Sequence, residues 1–263
     1  MGFEMLTLDQ LTSYFPEDIF RKTPHGALVE YLQHELLDSL FKNPDARHLS
    51  FIGGTAIRIL HQSIRFSEDL DFDSFDLSFD GFEALLVKAC RDMEYKGFII
   101  EYRMVEKGAF HCYIRFPEIL YKSGISPDKG RKILIQVDTE PKKPFYKPNV
   151  TLMNRFAVFR RILAAPPEIL LSQKMMAVLY RKREKGRDIF DVSFLTGITT
   201  PDFGFIQNTL GMSKSEFIRM FDKRLDELDL NYMAGDVEPF LFNPEQKERV
   251  LFFRESWEQL KGL

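Results

Sequence analysis

The chain has 263 residues, 44% of them hydrophobic and 29% charged, which is typical of a globular protein with a sizeable core. It contains no stretch of about 20 apolar residues, no N-terminal signal pattern and only two cysteines, which predicts a cytoplasmic protein without membrane association, with a single disulfide as the lesser alternative. The net charge of −3 argues against a generally basic nucleic-acid binder.

Hydrophobic periodicity predicts mixed helices and strands in the early part of the chain and mainly helices in the later part. The predicted early elements are helices over 24–42, 55–61 and 80–96 and strands over 48–54, 69–73, 98–105, 109–116 and 131–138. Residues 140–149 contain three prolines and are predicted to be a connector or domain boundary. The predicted later elements are one extended stretch over 154–164 and helices over 167–184, 187–196, 213–227 and 243–260. This pattern predicts an α+β domain over 1–145 and a mainly helical domain over 146–263.

The charged residues are unevenly distributed along the chain. Residues 121–191 contain 16 Lys and Arg against 7 Asp and Glu, whereas the remainder contains 20 basic and 32 acidic residues. This segregation fits a polyanionic ligand, whose phosphates would give salt-dependent affinity, and it equally fits a solvated basic surface. The basic residues that would form such a groove are Lys142, Lys143, Lys147, Arg160, Arg161, Arg181, Lys182, Arg183 and Lys185.

The sharpest motif is the glycine pair Gly53-Gly54, followed after a short helix by Asp69-Leu70-Asp71. In a strand, positions i and i+2 share a face, so the two aspartates would project together and would repel each other without a bound cation. Oxygen-preferring Mg²⁺, with Mn²⁺ as the alternative, suits such a pair. Paired glycines at a helix start let the backbone approach a phosphate. The pattern therefore predicts a phosphate-and-metal site, although a solvated acidic turn remains an alternative.

Other chemistries match the sequence poorly. Asp69, Asp71 and Asp73 imitate the start of a calcium-binding EF-hand loop, but its sixth and twelfth positions would be Ser74 and Asp80 in place of Gly and Glu. The histidines and cysteines lack the spacing of a zinc site, and the phosphate loop of Walker-type nucleotidases is absent.

The segment Gly53-Gly54-Thr55 followed by Arg65–Phe72 (RFSEDLDF) resembles the signature of DNA polymerase β-like nucleotidyltransferases. Together with Gln173-Lys174 and the downstream segment 185–191 (KGRDIFD), it resembles more narrowly the AbiEii/AbiGii toxins of bacterial toxin–antitoxin and abortive-infection systems. The resemblance covers about residues 48–196. It implies a mixed sheet flanked by helices, followed by a mainly helical domain.

The resemblance also implies roles for individual residues. A nucleotide would be bound by Gly53, Gly54, Thr55, Arg65, Ser67 and Lys174. Asp69 and Asp71 would bind the metal, and Asp138 is the candidate third carboxylate, either as a metal ligand or as the group that deprotonates the acceptor, unless it only caps its strand. Arg65 would contact phosphate or pair with Glu68.

Three residues downstream complete the candidate catalytic set. Lys174 lies among apolar residues and would contact the triphosphate, unless it only extends its amine to solvent. On a straight helix Lys174, Arg181 and Asp188 would lie within about 40° of one another, although Gly186 would break that helix. Asp188 or Asp191 would orient Lys174 or act near the acceptor; a structural ion pair with Arg187 is the alternative.

These expectations predict a Mg²⁺-dependent nucleotidyltransferase toxin. The implied partners are an NTP, an RNA acceptor such as the 3′ end of tRNA, and a cognate antitoxin. Two alternatives remain open at this point: a non-catalytic nucleotide- or RNA-binding module of the same fold, and a nucleotidyltransferase acting on a small molecule.

Overall fold

The computed structural model describes residues 5–261. Within them the chain divides into two compact units, and no helix there is both long and apolar enough to cross a bilayer. The sheet unit comprises the chain up to Ala56, Ser67–Lys143 and Asn149–Ala164. The helical unit comprises Ile57–Phe66, Pro144–Pro148 and the chain from Ala165 onward.

One mixed sheet forms the centre of the sheet unit. Its strands in the described residues are β1 (Leu49–Ile52), β2 (Leu70–Ser74), β3 (Glu101–Glu106), β4 (Phe110–Phe116), β5 (Ile133–Pro141), β6 (Asn149–Arg155) and β7 (Val158–Ala164). Their order across the sheet is β3-β4-β5-β2-β1-β7-β6. The β2–β5 and β1–β7 pairs are parallel, and the other neighbours are antiparallel. The predicted α+β class with a mixed sheet is confirmed.

Helices cover one face of this sheet. The helices that begin in the sheet unit are α1 (Leu8–Thr12), α2 (Glu17–Lys22), α3 (Pro24–Phe41), α4 (Gly53–His61), α5 (Phe79–Tyr95) and α6 (Ile119–Lys122), with a 3-10 turn at Pro44–His48. Helix α3 packs against α5, β5 and β7, and α5 also packs against β4. Helix α4 begins in the sheet unit and continues into the helical unit after Ala56.

Alternation along the strands separates an apolar face from a polar face. Leu70, Phe72 and Val137 are buried, and the Phe72 ring lies 6.3 Å from that of Phe41 on α3. Asp71 and Asp138 occupy the alternate positions and are only partly buried. We call the face that carries these two aspartates the polar face. The apolar side chains therefore direct the acidic ones away from the helices α3 and α5.

The helical unit is built around a cluster of aromatic rings. Its helices beyond α4 are α7 (Pro167–Tyr180), α8 (Gly186–Leu195), α9 (Phe203–Leu210), α10 (Lys214–Glu227), α11 (Leu230–Val237), α12 (Glu248–Leu251) and α13 (Phe253–Leu260), with 3-10 turns at Glu238–Phe240 and Pro244–Lys247. The ring of Phe221 lies 4.8 Å from Trp257 and 6.0 Å from Phe217, between centroids. Aromatic pairs of this kind stabilise a core beyond their area burial.

The structure differs from the expected elements in several places. The expected boundary after residue 145 differs from the observed division, because β6 and β7 complete the sheet and belong to the sheet unit. The predicted helix over 167–184 ends at Tyr180, and a separate helix begins at Gly186. The eight-residue helices α9 and α11 were not predicted, because two turns are too short to establish a clear period.

The predicted single stretch over 154–164 contains the turn and the second strand of a hairpin that begins at Asn149. Strands β6 and β7 pair antiparallel, and the two residues between them, Phe156 and Ala157, have φ values of 54° and 62°. This is the left-handed region, which two-residue hairpin turns require and which asparagine and glycine usually occupy. Neither residue is of that type, so the sequence carried no turn signal.

Ala157→Gly should therefore stabilise the protein, because glycine reaches a positive φ without the Cβ strain of alanine. We expect the free energy of unfolding to rise by about 0.5–1 kcal/mol in urea denaturation. The control is Ala84→Gly at an exposed position inside α5, which should lower that free energy by up to about 1 kcal/mol. Equal destabilisation by both substitutions would contradict the assigned turn.

Candidate active site

The glycine turn joins β1 directly to α4. Gly53 follows the last residue of β1 and has a φ of +79°, which favours glycine. A Cβ built on Gly53 would overlap a carboxylate oxygen of Asp71 and would lie 2.9 Å from the Cβ of Asp71. The Asp71 side chain therefore lies against the backbone of Gly53, and only glycine leaves room for it.

The two aspartates of the Asp-Leu-Asp motif lie at the start of β2. The strand begins at Leu70, so Asp69 precedes it and Asp71 lies within it, and both are partly buried. The buried Thr55 hydroxyl donates a hydrogen bond to the main-chain carbonyl of Asp69. Thr55 thus ties the first turn of α4 to the backbone that carries both acids.

Strand register brings Asp138 beside Asp71. In the parallel β2–β5 pair Asp71 is the direct partner of Asp138, so their side chains share the polar face. Asp138 lies inside β5, which continues to Pro141, so it does not cap the strand end. Its carboxylate accepts hydrogen bonds from Gln136 Nε2, at 2.9 and 2.8 Å, and lies 2.8 Å from His111 Nδ1.

His111 and Gln136 were missed in the sequence. His111 is the register partner of Asp138 across the antiparallel β4–β5 pair. The alternation of β4, in which every second side chain is buried, contained the signal that His111 shares a face with polar neighbours. The pairing of His111 with Asp138 could not be predicted, because the two residues are far apart in the chain and only the strand register brings them together.

The carboxylates of Asp69, Asp71 and Asp138 provide oxygen donors that suit a divalent cation. Asp69 and Asp71 offer the hard carboxylate oxygens that Mg²⁺ prefers, beside a glycine backbone and a helix start that suit phosphate. Within residues 5–261, no three His, Cys, Asp or Glu side chains are arranged as a ready metal site. The arrangement is therefore an acidic pair with a third carboxylate, Asp138, held by its own hydrogen bonds.

The helical unit contains a separate, buried cluster of charged side chains. Lys174 Nζ lies 3.1 Å from Asp188 Oδ1 and 2.9 Å from Asp191 Oδ2. Asp191 also accepts two hydrogen bonds from Arg65, at 2.7 and 2.6 Å, and Arg181 Nε lies 3.1 Å from Asp188. Asp191 is fully buried, and 2% of Arg65 and 3% of Asp188 is exposed.

Ion pairing keeps this cluster charged. Burial alone would lower the pKa of Lys174, but Asp191 and Asp188 raise it above its usual value. Burial alone would raise the pKa of Asp191, but Arg65 and Lys174 hold it below its usual value. The sequence analysis expected Arg65 to contact phosphate or to pair with Glu68. In the structure its ion-pair partner is Asp191, which the sequence did not suggest.

The proximity of Lys174 to Asp188 comes from packing between two helices. Lys174 lies on α7 and Asp188 on α8, so a straight helix does not align them. Gly186 starts α8, and a Cβ there would lie 2.8 Å from the carbonyl carbon of Met233 on α11. The glycine of the KGRD segment thus permits the close contact between α8 and α11.

The remaining predicted residues occupy varied surroundings. Ser67 is partly buried, and its main-chain carbonyl accepts a hydrogen bond from Gln33 Nε2 at 3.0 Å. Among the expected groove residues, Arg160 pairs with Asp38 at 2.8 Å and Lys142 with Glu140 at 2.7 Å. The other members of this set are likewise exposed or partly exposed: Lys143, Lys147, Arg161, Arg181, Lys182, Arg183 and Lys185.

Asp191→Asn should destabilise the protein strongly, because it leaves the buried Arg65 without its counter-charge and removes one of the two carboxylates that pair with Lys174. We expect a loss of about 3–5 kcal/mol in the free energy of unfolding at neutral pH, measured by urea denaturation. Because the pKa of Asp191 is lowered in the folded state, the difference should shrink as the pH falls below about 4.

A matched control uses the exposed ion pair between Asp226 and Arg254. The side chains of these residues are 66% and 46% exposed, so Asp226→Asn should change the free energy of unfolding by less than about 1 kcal/mol. A similarly small effect of Asp191→Asn would refute the importance of the buried cluster for folding.

Comparison with known proteins places the chain in a family. A family model described as nucleotidyl transferase AbiEii toxin, type IV toxin–antitoxin system, matches residues 35–259. The chain is similar to MenT4, the nucleotidyltransferase toxin Rv2826c from Mycobacterium tuberculosis H37Rv, with 16% identity and a TM-score of 0.56 over 89% of this chain and 72% of that chain. It is also similar to JHP933 from Helicobacter pylori, with 18% identity and a TM-score of 0.53 over 88% and 92% of the two chains.

At these identities the two solved structures are evidence for the fold alone. No match was found among curated proteins. The family model, by contrast, spans most of the chain and includes the glycine turn, the Asp-Leu-Asp strand and the Lys174 cluster. The chain therefore belongs to the AbiEii nucleotidyltransferase toxin family of type IV toxin–antitoxin systems.

Proposed function

We propose that the protein transfers a nucleotide from an NTP to the terminal hydroxyl of an RNA acceptor, such as the 3′ end of tRNA. The observation that carries this proposal is the row formed by Asp71 and Asp138 in register, with Asp71 packed against the backbone of Gly53. An acidic pair beside a glycine turn at a helix start suits a metal-bound triphosphate. Membership of a nucleotidyltransferase family supports the same chemistry.

In the proposed reaction the acceptor hydroxyl attacks the α-phosphorus of the NTP and pyrophosphate leaves. The backbone N–H groups of Gly53, Gly54 and Thr55 would bind the triphosphate. A Mg²⁺ ion, or Mn²⁺ in its place, held by Asp69 and Asp71 would neutralise charge that develops on the phosphate oxygens. Asp138 would accept the proton of the attacking hydroxyl or complete the metal site, while Gln136 and His111 hold its carboxylate in place.

We propose that one residue of the charged cluster in the helical unit contacts the nucleotide and that the others position it. Lys174 is proposed to contact the triphosphate, and its ion pairs with Asp188 and Asp191 support a positioning role for these acids. Since the guanidinium of Arg65 is engaged by Asp191, we propose that Arg65 acts through that acid. Ser67 remains a proposed nucleotide-binding residue, next to the acidic motif.

The family implies an antitoxin as the partner. We propose that the protein is located in the cytoplasm, where tRNA and NTPs are present.

A non-catalytic binding module would be favoured if Asp138 faced away from Asp71, but the two residues are register partners and share one face. The excess of basic residues in segment 121–191 favours a polyanionic acceptor over a small molecule.

Asp71→Asn should abolish transfer, because it removes the negative charge that would hold the metal at the triphosphate. Each α-labelled NTP is incubated with the protein, Mg²⁺ and total tRNA, and label joined to RNA is followed on denaturing gels. We expect a loss of at least about 100-fold, with the unfolding midpoint measured in parallel.

The matched control is Asp76→Asn, which removes the same charge from an exposed turn residue just after β2. This variant should transfer at the wild-type rate. Wild-type turnover in Asp71→Asn would refute the proposed site, and transfer to a non-RNA acceptor only would refute the proposed substrate class.

Asp138→Asn should lower the rate of transfer by about 10²–10⁴, because the amide cannot accept the proton of the acceptor hydroxyl. Affinity for the NTP, measured separately by equilibrium binding, should change little if Asp138 acts on the acceptor. A large loss of NTP affinity would instead assign Asp138 to the metal site. Unchanged transfer would limit the residue to a structural role in the sheet.

A further inference from the structure

The polar face of the sheet continues beyond the Asp71–Asp138 row. The register aligns Gln136 with Tyr113 and Tyr113 with Arg103, which forms a second row across β5, β4 and β3. In the same way Arg115 aligns with Leu134. Because alternate residues of a strand share a face, Tyr113 and Arg115 lie on the same side as His111 and Asp138.

Strand geometry gives the spacing of these rows. Two residues along a strand span about 7 Å, and the Cβ atoms of registered neighbours lie about 5 Å apart. Arg103 and Tyr113 therefore lie one row from Asp138, and Arg115 lies two rows from it. We call Arg103, Tyr113 and Arg115 the arginine–tyrosine patch.

The patch contains cationic groups without an anionic partner. Arg103 is exposed and Arg115 partly exposed, and within residues 5–261 neither guanidinium has a hydrogen bond or an ion pair. Glu101, the direct register partner of Arg115 on β3, is paired with Lys132 at 2.7 Å rather than with Arg115. Two unpaired guanidiniums on a surface beside a proposed phosphoryl-transfer site suit phosphate oxygens.

An aromatic ring and an apolar side chain complete the surface. Tyr113 is partly exposed between the two arginines, and Leu134 is 45% exposed beside Arg115. Aromatic rings and guanidinium planes stack on unpaired bases, while arginines contact the backbone. This combination is that of a single-stranded RNA surface, whereas an acidic protein partner would have no use for the stacking ring.

We propose that the arginine–tyrosine patch binds the single-stranded 3′ segment of the RNA acceptor and directs its terminal hydroxyl to Asp138. This inference rests on the proposed function and adds the acceptor-binding residues to it. Arg103 and Arg115 contact the phosphates that precede the terminal nucleotide, and Tyr113 stacks on one base. Affinity from such contacts depends on salt and little on sequence.

The test measures binding of a labelled single-stranded RNA of about twelve nucleotides by fluorescence anisotropy, without NTP, over a series of salt concentrations. For the double variant Arg103→Gln/Arg115→Gln, the slope of log affinity against log salt should decrease in magnitude by about 1.4, since each phosphate contact contributes about 0.7. Tyr113→Leu should weaken binding about fivefold or more and leave the slope unchanged.

The matched control is Arg91→Gln, an exposed arginine on α5, which packs on the opposite face of the sheet. It should leave both affinity and slope unchanged. The single variant Arg103→Gln, at an exposed position, tests the proposal even if the double variant unfolds, and should lower the slope by about 0.7. An affinity and slope equal to those of Arg91→Gln would overturn the proposal, and would leave an acidic protein as the occupant to be tested.

Failure of this proposal is distinguishable from failure of the proposed function. The binding assay requires no turnover, so loss of RNA affinity in the patch variants would support the patch even if Asp71→Asn kept its activity. If the wild type transfers nucleotides to tRNA and the double variant does so with an unchanged KM for tRNA, the patch is refuted while the activity stands.

Discussion

The contact between the Asp71 carboxylate and the backbone of Gly53 is the constraint on which the candidate site depends. Ile52 and Asp71 are partners in the antiparallel β1–β2 pair, and Gly53 is the next residue after Ile52. The chain must turn into α4 at the point where the acid projects, and a side chain at Gly53 would occupy the space of the carboxylate. The groups suited to phosphate and to a metal are thereby placed together by one turn.

Burial of the apolar face makes this placement hard to change. Leu70, Phe72 and Val137 are almost completely buried, and each contributes about 1.5–3 kcal/mol by leaving water. A slip of β2 by one residue would expose Leu70 and Phe72 and would turn Asp71 into the core. The same apolar contacts that stabilise the sheet therefore hold Asp71 and Asp138 side by side.

The RFSEDLDF segment contributes residues to both units, and different interactions hold those residues in place. Ser67–Phe72 belongs to the sheet unit, where alternation decides which side chains are buried, whereas Arg65 belongs to the helical unit. There Arg65 lies in a buried network with Asp191 and Lys174, in which each charge is retained because its partners replace the water it lost. One continuous motif thus contains a candidate catalytic strand and part of a folding core.

The sequence was sufficient to predict the α+β class, most long elements, the glycine turn and the acidic pair, because these depend on local periodicity and on residues close together in the chain. It did not reveal the turn of the β6–β7 hairpin, since Phe156 and Ala157 have positive φ values that are uncommon for their residue types. The contacts of His111 with Asp138 and of Arg65 with Asp191 form only in the folded chain. Strand register and helix packing decide such contacts, and both follow from the burial of apolar side chains across the whole unit and not from any local pattern.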